Sequence, residues 1–137
     1  MSSTEYYYTP QHDYVTFTAP DFVLVKFGKI TTTEEDNTKE AHWVRETFTT
    51  IKQAVPIGHF KVLMDFRTID SGEFNSQESN KIYQAILRDP AIDKVAVFGL
   101  HHGWQLLVDL LRMFTPHKLR TFATEAEARQ WLYATGR

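Results

Sequence analysis

Residues 93–132 read DKVAVFGLHHGWQLLVDLLRMFTPHKLRTFATEAEARQWL, and this stretch decides the fold. Lys94-Val95-Ala96-Val97-Phe98 is a continuous apolar run that stops at Gly99, the pattern of a strand buried on both faces. Trp104, Leu107, Val108, Leu111 and Phe114 then recur at helical spacing, which predicts a helix over 104–114. A short strand is expected over 118–122. Thr124 caps a last helix, with Glu127 three residues on to complete a capping box. In that helix Ala128 permits close approach to a sheet, while Trp131 and Leu132 are expected to supply its buried area. A strand-helix-strand-helix series requires crossovers, and crossovers of helix length place strands parallel with right-handed connections.

The same alternation extends backwards from this stretch. Phe22 to Phe27 is a strong strand ending at Gly28. Tyr14 to Thr18 alternates large and small side chains and suits an edge strand, joined through the turn Ala19-Pro20-Asp21 as an antiparallel hairpin. A helix is expected to start near Thr32, with Glu35 reaching back to it. It carries Ala41, Val44, Phe48 and Ile51 on one stripe before Pro56 ends it. Phe60 to Phe66 is the next buried strand. Asn75 or Ser76 caps a second helix whose Ile82, Tyr83, Ile86 and Leu87 face inward until Asp89-Pro90. The expected architecture is α/β, in the order ββαβαβαβα. Its mixed, mostly parallel five-stranded sheet has an N-terminal antiparallel hairpin and helices mainly on one face. Residues 1–12 read as a loosely held arm and 13–137 as a single domain.

Composition sets the outer limits. The chain has 137 residues, 42% hydrophobic and 14% aromatic, enough for one sizeable core. Fifteen basic against seventeen acidic residues give a net charge of −2 without a basic cluster, so nucleic acid is not an expected partner. There is no cysteine, which excludes disulfides and thiol chemistry. Neither a signal-peptide pattern nor an apolar run of the roughly 20 residues a membrane helix needs is visible, so a cytoplasmic location is expected and a membrane span is not.

The helix over 104–114 is apolar around most of its circumference, because Leu106, Leu110 and Met113 widen the inward stripe. Either a neighbouring helix covers the surplus, or it is an exposed patch that suits a partner protein, a second copy, or an apolar small molecule. Trp104, Leu106, Leu110, Met113 and Phe114 are therefore the candidate interface or ligand patch.

Three features together resemble the STAS / SpoIIAA-like family. They are the strand ending at Gly28 and leading through Ile30-Thr31 to Glu34-Glu35, the run Val95 to Gly99 before an apolar helix, and Phe122-Ala123-Thr124-Glu125-Ala126-Glu127-Ala128-Arg129-Gln130-Trp131-Leu132. The resemblance covers roughly residues 14–133. It implies a non-enzymatic regulatory or binding module. In the anti-sigma-factor antagonists of the family a serine in an Asp-Ser loop is phosphorylated. Ile69-Asp70-Ser71-Gly72 resembles that loop and makes Ser71 the matching acceptor, although the second serine and the following leucine of the family pattern are missing. Asp-Ser-Gly is also an ordinary turn tripeptide.

Other chemistry finds less support. Asp65 near a strand end lacks the acidic pair that would hold magnesium in a receiver domain, and Lys118 starts its strand rather than ending it; a core or loop-capping carboxylate is the expectation. His101 and His102 lie where open parallel sheets place ligands, so they are candidate loop contacts, but no acid at ligand spacing accompanies them. His42 beside Trp43 is expected to be partly buried. Neither nucleotide fingerprint nor a Gly-x-Ser-x-Gly elbow occurs. No catalytic residue, metal or cofactor is expected.

Overall fold

The structure is a computed structural model that describes residues 3–55, 59–68, 76–100 and 118–134. Six strands and three helices occur among them, in the order β1 (Ser3–Tyr8), β2 (Asp13–Thr18), β3 (Phe22–Lys26), α1 (Glu34–Ala54), β4 (Phe60–Asp65), α2 (Gln77–Arg88), β5 (Ile92–Phe98), β6 (Leu119–Phe122) and α3 (Glu125–Tyr133). All six strands lie in one sheet in sequence order. β1, β2 and β3 are antiparallel neighbours, while β3 to β6 run parallel. The mixed, mostly parallel sheet and its antiparallel N-terminal hairpin follow the sequence pattern.

The strand count does not. The sheet has six strands rather than five, because the stretch expected as a loose arm contains β1. All six of its residues pair with β2, from Ser3 opposite Thr18 to Tyr8 opposite Asp13. The three consecutive tyrosines favour a pleated, half-buried surface, and a 3-10 turn over Thr9–Gln11 brings the chain back through His12 in the left-handed region. β2 is consequently internal, and β1 is the edge.

Alternation along the strands sorts side chains to two faces. On one face Val15, Phe17, Val23, Val25, Val62, Met64, Val95 and Val97 pack under α1 and α2, which supply Val44, Phe48, Ile51 and Leu87. Consecutive parallel strands joined by right-handed crossovers put both helices there. On the other face Phe22, Leu63, Ala96 and Phe98 receive Ala128 and Leu132 of α3.

The helix starts use local chemistry. Thr33, not Thr32, caps α1 by accepting from the Asp36 amide at 3.0 Å. Ser76 caps α2, and its hydroxyl accepts from the Ser79 amide at 3.0 Å. Thr124 caps α3 as expected, but the Glu127 carboxylate meets the Thr124 hydroxyl at 3.1 Å rather than a backbone amide. Trp131 is only half-buried, and Leu132 takes the fully buried place.

Candidate functional site

The carboxyl edge of the parallel strands gathers a set of buried polar groups. β3, β4 and β5 end there, at Lys26, Asp65 and Phe98, and β2, running the other way, begins there at Asp13. α1 and α2 also start from this edge. Open parallel sheets bind ligands just outside it. Three clusters organise the region.

The first caps the end of β4. Asp65 is buried, and its Oδ1 accepts from the Arg67 amide at 3.0 Å and from Arg67 Nε at 3.1 Å, while Oδ2 takes Arg67 Nη2 at 2.8 Å. Burial pushes the Asp65 carboxyl up, but the Arg67 hydrogen bonds and charge outweigh it and hold the group below its ordinary range. The guanidinium lies 5.1 Å from the centre of the Phe98 ring. Gly99, at φ +77°, makes this closeness possible: a Cβ there would stand 2.4 Å from Arg67 Cγ.

The second cluster fixes the start of α2 against α1. The Ser76 amide donates to Asn37 Oδ1 at 3.0 Å, the Ser79 hydroxyl donates to the Asn37 carbonyl at 3.0 Å, and the Thr38 and Ser76 hydroxyls meet at 2.6 Å. The described residues on either side of 69–75 are thereby held, Arg67 at the capped end of β4 and Ser76 at a buried helix start.

The third cluster joins β2 to α1. Asp13 is 1% exposed and Glu40 5%, and each carboxyl acts on the other's ionisation. Asp13 Oδ1 accepts from the Gly28 amide at 2.8 Å. Burial, and then the neighbouring Asp13, push the Glu40 carboxyl up to about 10. Sequence reasoning missed both residues. A signal was present in α1, where Asn37 and Glu40 continue the spacing of Ala41, Val44, Phe48 and Ile51 toward the helix start and so lie on its buried stripe. Nothing near Asp13 in the chain marks it.

Of the residues singled out from sequence, Ser71, His101, His102, Trp104, Leu106, Leu110, Met113 and Phe114 lie outside the described residues. Asp65 is the loop-capping carboxylate expected. Lys118 precedes β6 and donates to the Asp89 carbonyl at 2.9 Å. His42 is half-buried, 3.3 Å from Arg45. Among the described residues no three His, Asp or Glu side chains gather as metal ligands, and no helix is long and apolar enough to cross a membrane. A cleft of about 330 Å³ does occur, lined by Tyr6, Phe17, Ala19, Ile51 and Val55 among others. It opens beside the β2–β3 turn, at the opposite edge of the sheet from Asp65 and Arg67.

The fold is a mixed sheet with helices on both faces, and one family model matches the chain: SpoIIAA-like, over residues 24–133. The chain belongs to the SpoIIAA-like family. No curated protein and no solved structure matches the chain. The SpoIIAA-like region runs from the middle of β3 to the last residue of α3, so it contains the Asp65–Arg67 cap and the α1–α2 junction. β1, the turn after it and β2 precede the matched region. Asp13 therefore ties a strand N-terminal to the match to Glu40 within it.

Proposed function

We propose that this SpoIIAA-like domain is a STAS-type regulatory module that acts by binding rather than by catalysis. Its partner is another protein or a second copy of itself, engaged through the apolar segment 104–114 and the loops at the carboxyl edge. The match over 24–133 carries the reading. The composition of 104–114 supports it: Trp104, Leu106, Leu110, Met113 and Phe114 offer more apolar surface than a single core-facing stripe uses. Segment 69–75 sits between Thr68 and the α2 cap Ser76 in sequence. A phosphate on Ser71 would add negative charge and strong acceptors five residues before the α2 cap Ser76 in the chain, the kind of change that alters docking. His101 and His102, directly after the end of β5, would contribute contacts. A cytoplasmic location accords with this role.

The experiment is size-exclusion chromatography with light scattering on wild type and Leu110→Glu. The expected result is a wild-type dimer and a folded, monomeric variant. A variant that loses its fold would place Leu110 in the core and remove the interface. Native mass spectrometry of freshly purified protein separates the alternative: a monomer carrying a lipid-like molecule would assign the same patch to an apolar ligand.

A further inference from the structure

Asp13 and Glu40 present a problem in electrostatics whose solution has consequences for how the domain moves. Asp13 Oδ2 and Glu40 Oε2 are both buried and meet no N–H donor. Among the described residues no lysine or arginine forms an ion pair with either carboxyl. A buried charge without a partner costs several kcal/mol, and two facing carboxylates add repulsion. One proton removes the difficulty. Glu40 as the neutral acid can donate its O–H to ionised Asp13, which leaves one buried charge in place of two.

Groups from every neighbouring element face this pair. Burial pushes the Asp13 carboxyl up, while Glu40, the Gly28 amide at the end of β3 and His12 beside it on the turn act in the opposite direction. From α2, Tyr83 feels both carboxyls: burial first, then the negative charge of Glu40 and Asp13, pushes its hydroxyl well up. At the end of β1, burial and then Glu40 push the Tyr8 hydroxyl up, Lys39 lowers it and Asp36 raises it, and its ring stacks on Trp43 of α1 at 5.3 Å. The pair is thus the polar centre of a junction made by β1, β2, β3, α1 and α2.

The geometry points to a proton-held latch: Asp13 and Glu40 keep α1 closed on the β2–β3 end of the sheet while they share one proton, and any event that separates them releases it to solvent. In the opening step the Glu40 O–H bond breaks, its proton passes to water, and two hydrated carboxylates remain. Opening of this junction is favoured as pH rises. This inference does not depend on which partner the domain binds.

Infrared spectroscopy of the wild-type protein at pH 7 tests it, with Glu40→Gln for assignment. The expected spectrum of the folded wild type contains the C=O band of a protonated carboxylic acid, absent from Glu40→Gln and lost when the wild type is unfolded in urea at the same pH. In weakly buffered solution, unfolding should release about one proton per molecule more from wild type than from the variant. If Glu40→Gln does not fold, loss of the band on unfolding of the wild type gives the same reading. A folded wild type without the band overturns the latch, as does equal proton release. Disappearance of the band on adding calcium or magnesium chloride would assign the pair to a cation and overturn it equally.

Discussion

Leu132→Ala tests how α3 is held to the sheet. The helix has nine residues, shorter than the roughly 12–15 at which isolated helices become even marginal in water, so packing must maintain it. Of its side chains only Ala128 and Leu132 are buried, both at 0% exposure, against Phe22, Leu63, Ala96 and Phe98. Truncating Leu132 removes three carbons, about 2.4 kcal/mol of transfer free energy at ~0.8 kcal/mol each. The floor of the site is strand backbone and cannot collapse, but α3 is a surface helix and can settle inward, so the cavity adds only part of its usual cost. The sum is about 3 kcal/mol, inside the range of about 2–5 kcal/mol for such truncations. At about 2.1 cal/mol/K per residue for 137 residues, that lowers Tm by about 10 °C. Trp131 is the larger side chain but half-exposed, flanked by Phe122, with Lys94 4.9 Å and Arg120 5.9 Å from its ring. Trp131→Ala should therefore cost less, about 1–2 kcal/mol. Urea denaturation followed by far-ultraviolet circular dichroism measures both. If Trp131→Ala proves the costlier, or Leu132→Ala costs under about 1 kcal/mol, α3 is not held as described.

Two further outcomes follow from the carboxyl edge. Gly28→Ala should destabilise by about 3 kcal/mol or more, because the new Cβ would stand 1.9 Å from the His12 carbonyl oxygen and backbone must move; a stability within 0.5 kcal/mol of wild type in urea would show that the turn yields freely. Arg67→Met should destabilise the protein modestly at pH 7, because buried Asp65 loses a charge-assisted, hydrogen-bonded partner that is itself largely exposed. The folded-state pKa of Asp65 is depressed, so its contribution is present above the unfolded-state value of about 3.9 and lost as pH falls through the folded one. Acid unfolding of Arg67→Met should begin at higher pH than in wild type; coincident acid transitions would mean that the pair contributes nothing.

The sequence alone determined the parallel part of the sheet. β3, β4 and β5 announce themselves as apolar runs ended by Gly28, Phe66 and Gly99, and α1 by the stripe Ala41, Val44, Phe48 and Ile51, because burial of an element imposes a period that is local in the chain. Caps at Ser76 and Thr124 were legible for the same reason: a helix start needs an acceptor within three residues. β1 was less so, since a strand with exposed Ser3, Glu5 and Tyr7 has no apolar period and exists through its register with β2. Trp131 and Leu132 exchanged roles because a short helix buries only what its angle on the sheet allows. Asp13 and Glu40 were decided wholly by tertiary structure. The free energy of a carboxyl depends on what surrounds it in space, and the strand start, helix turn and glycine amide that surround this pair come together only when the sheet has formed.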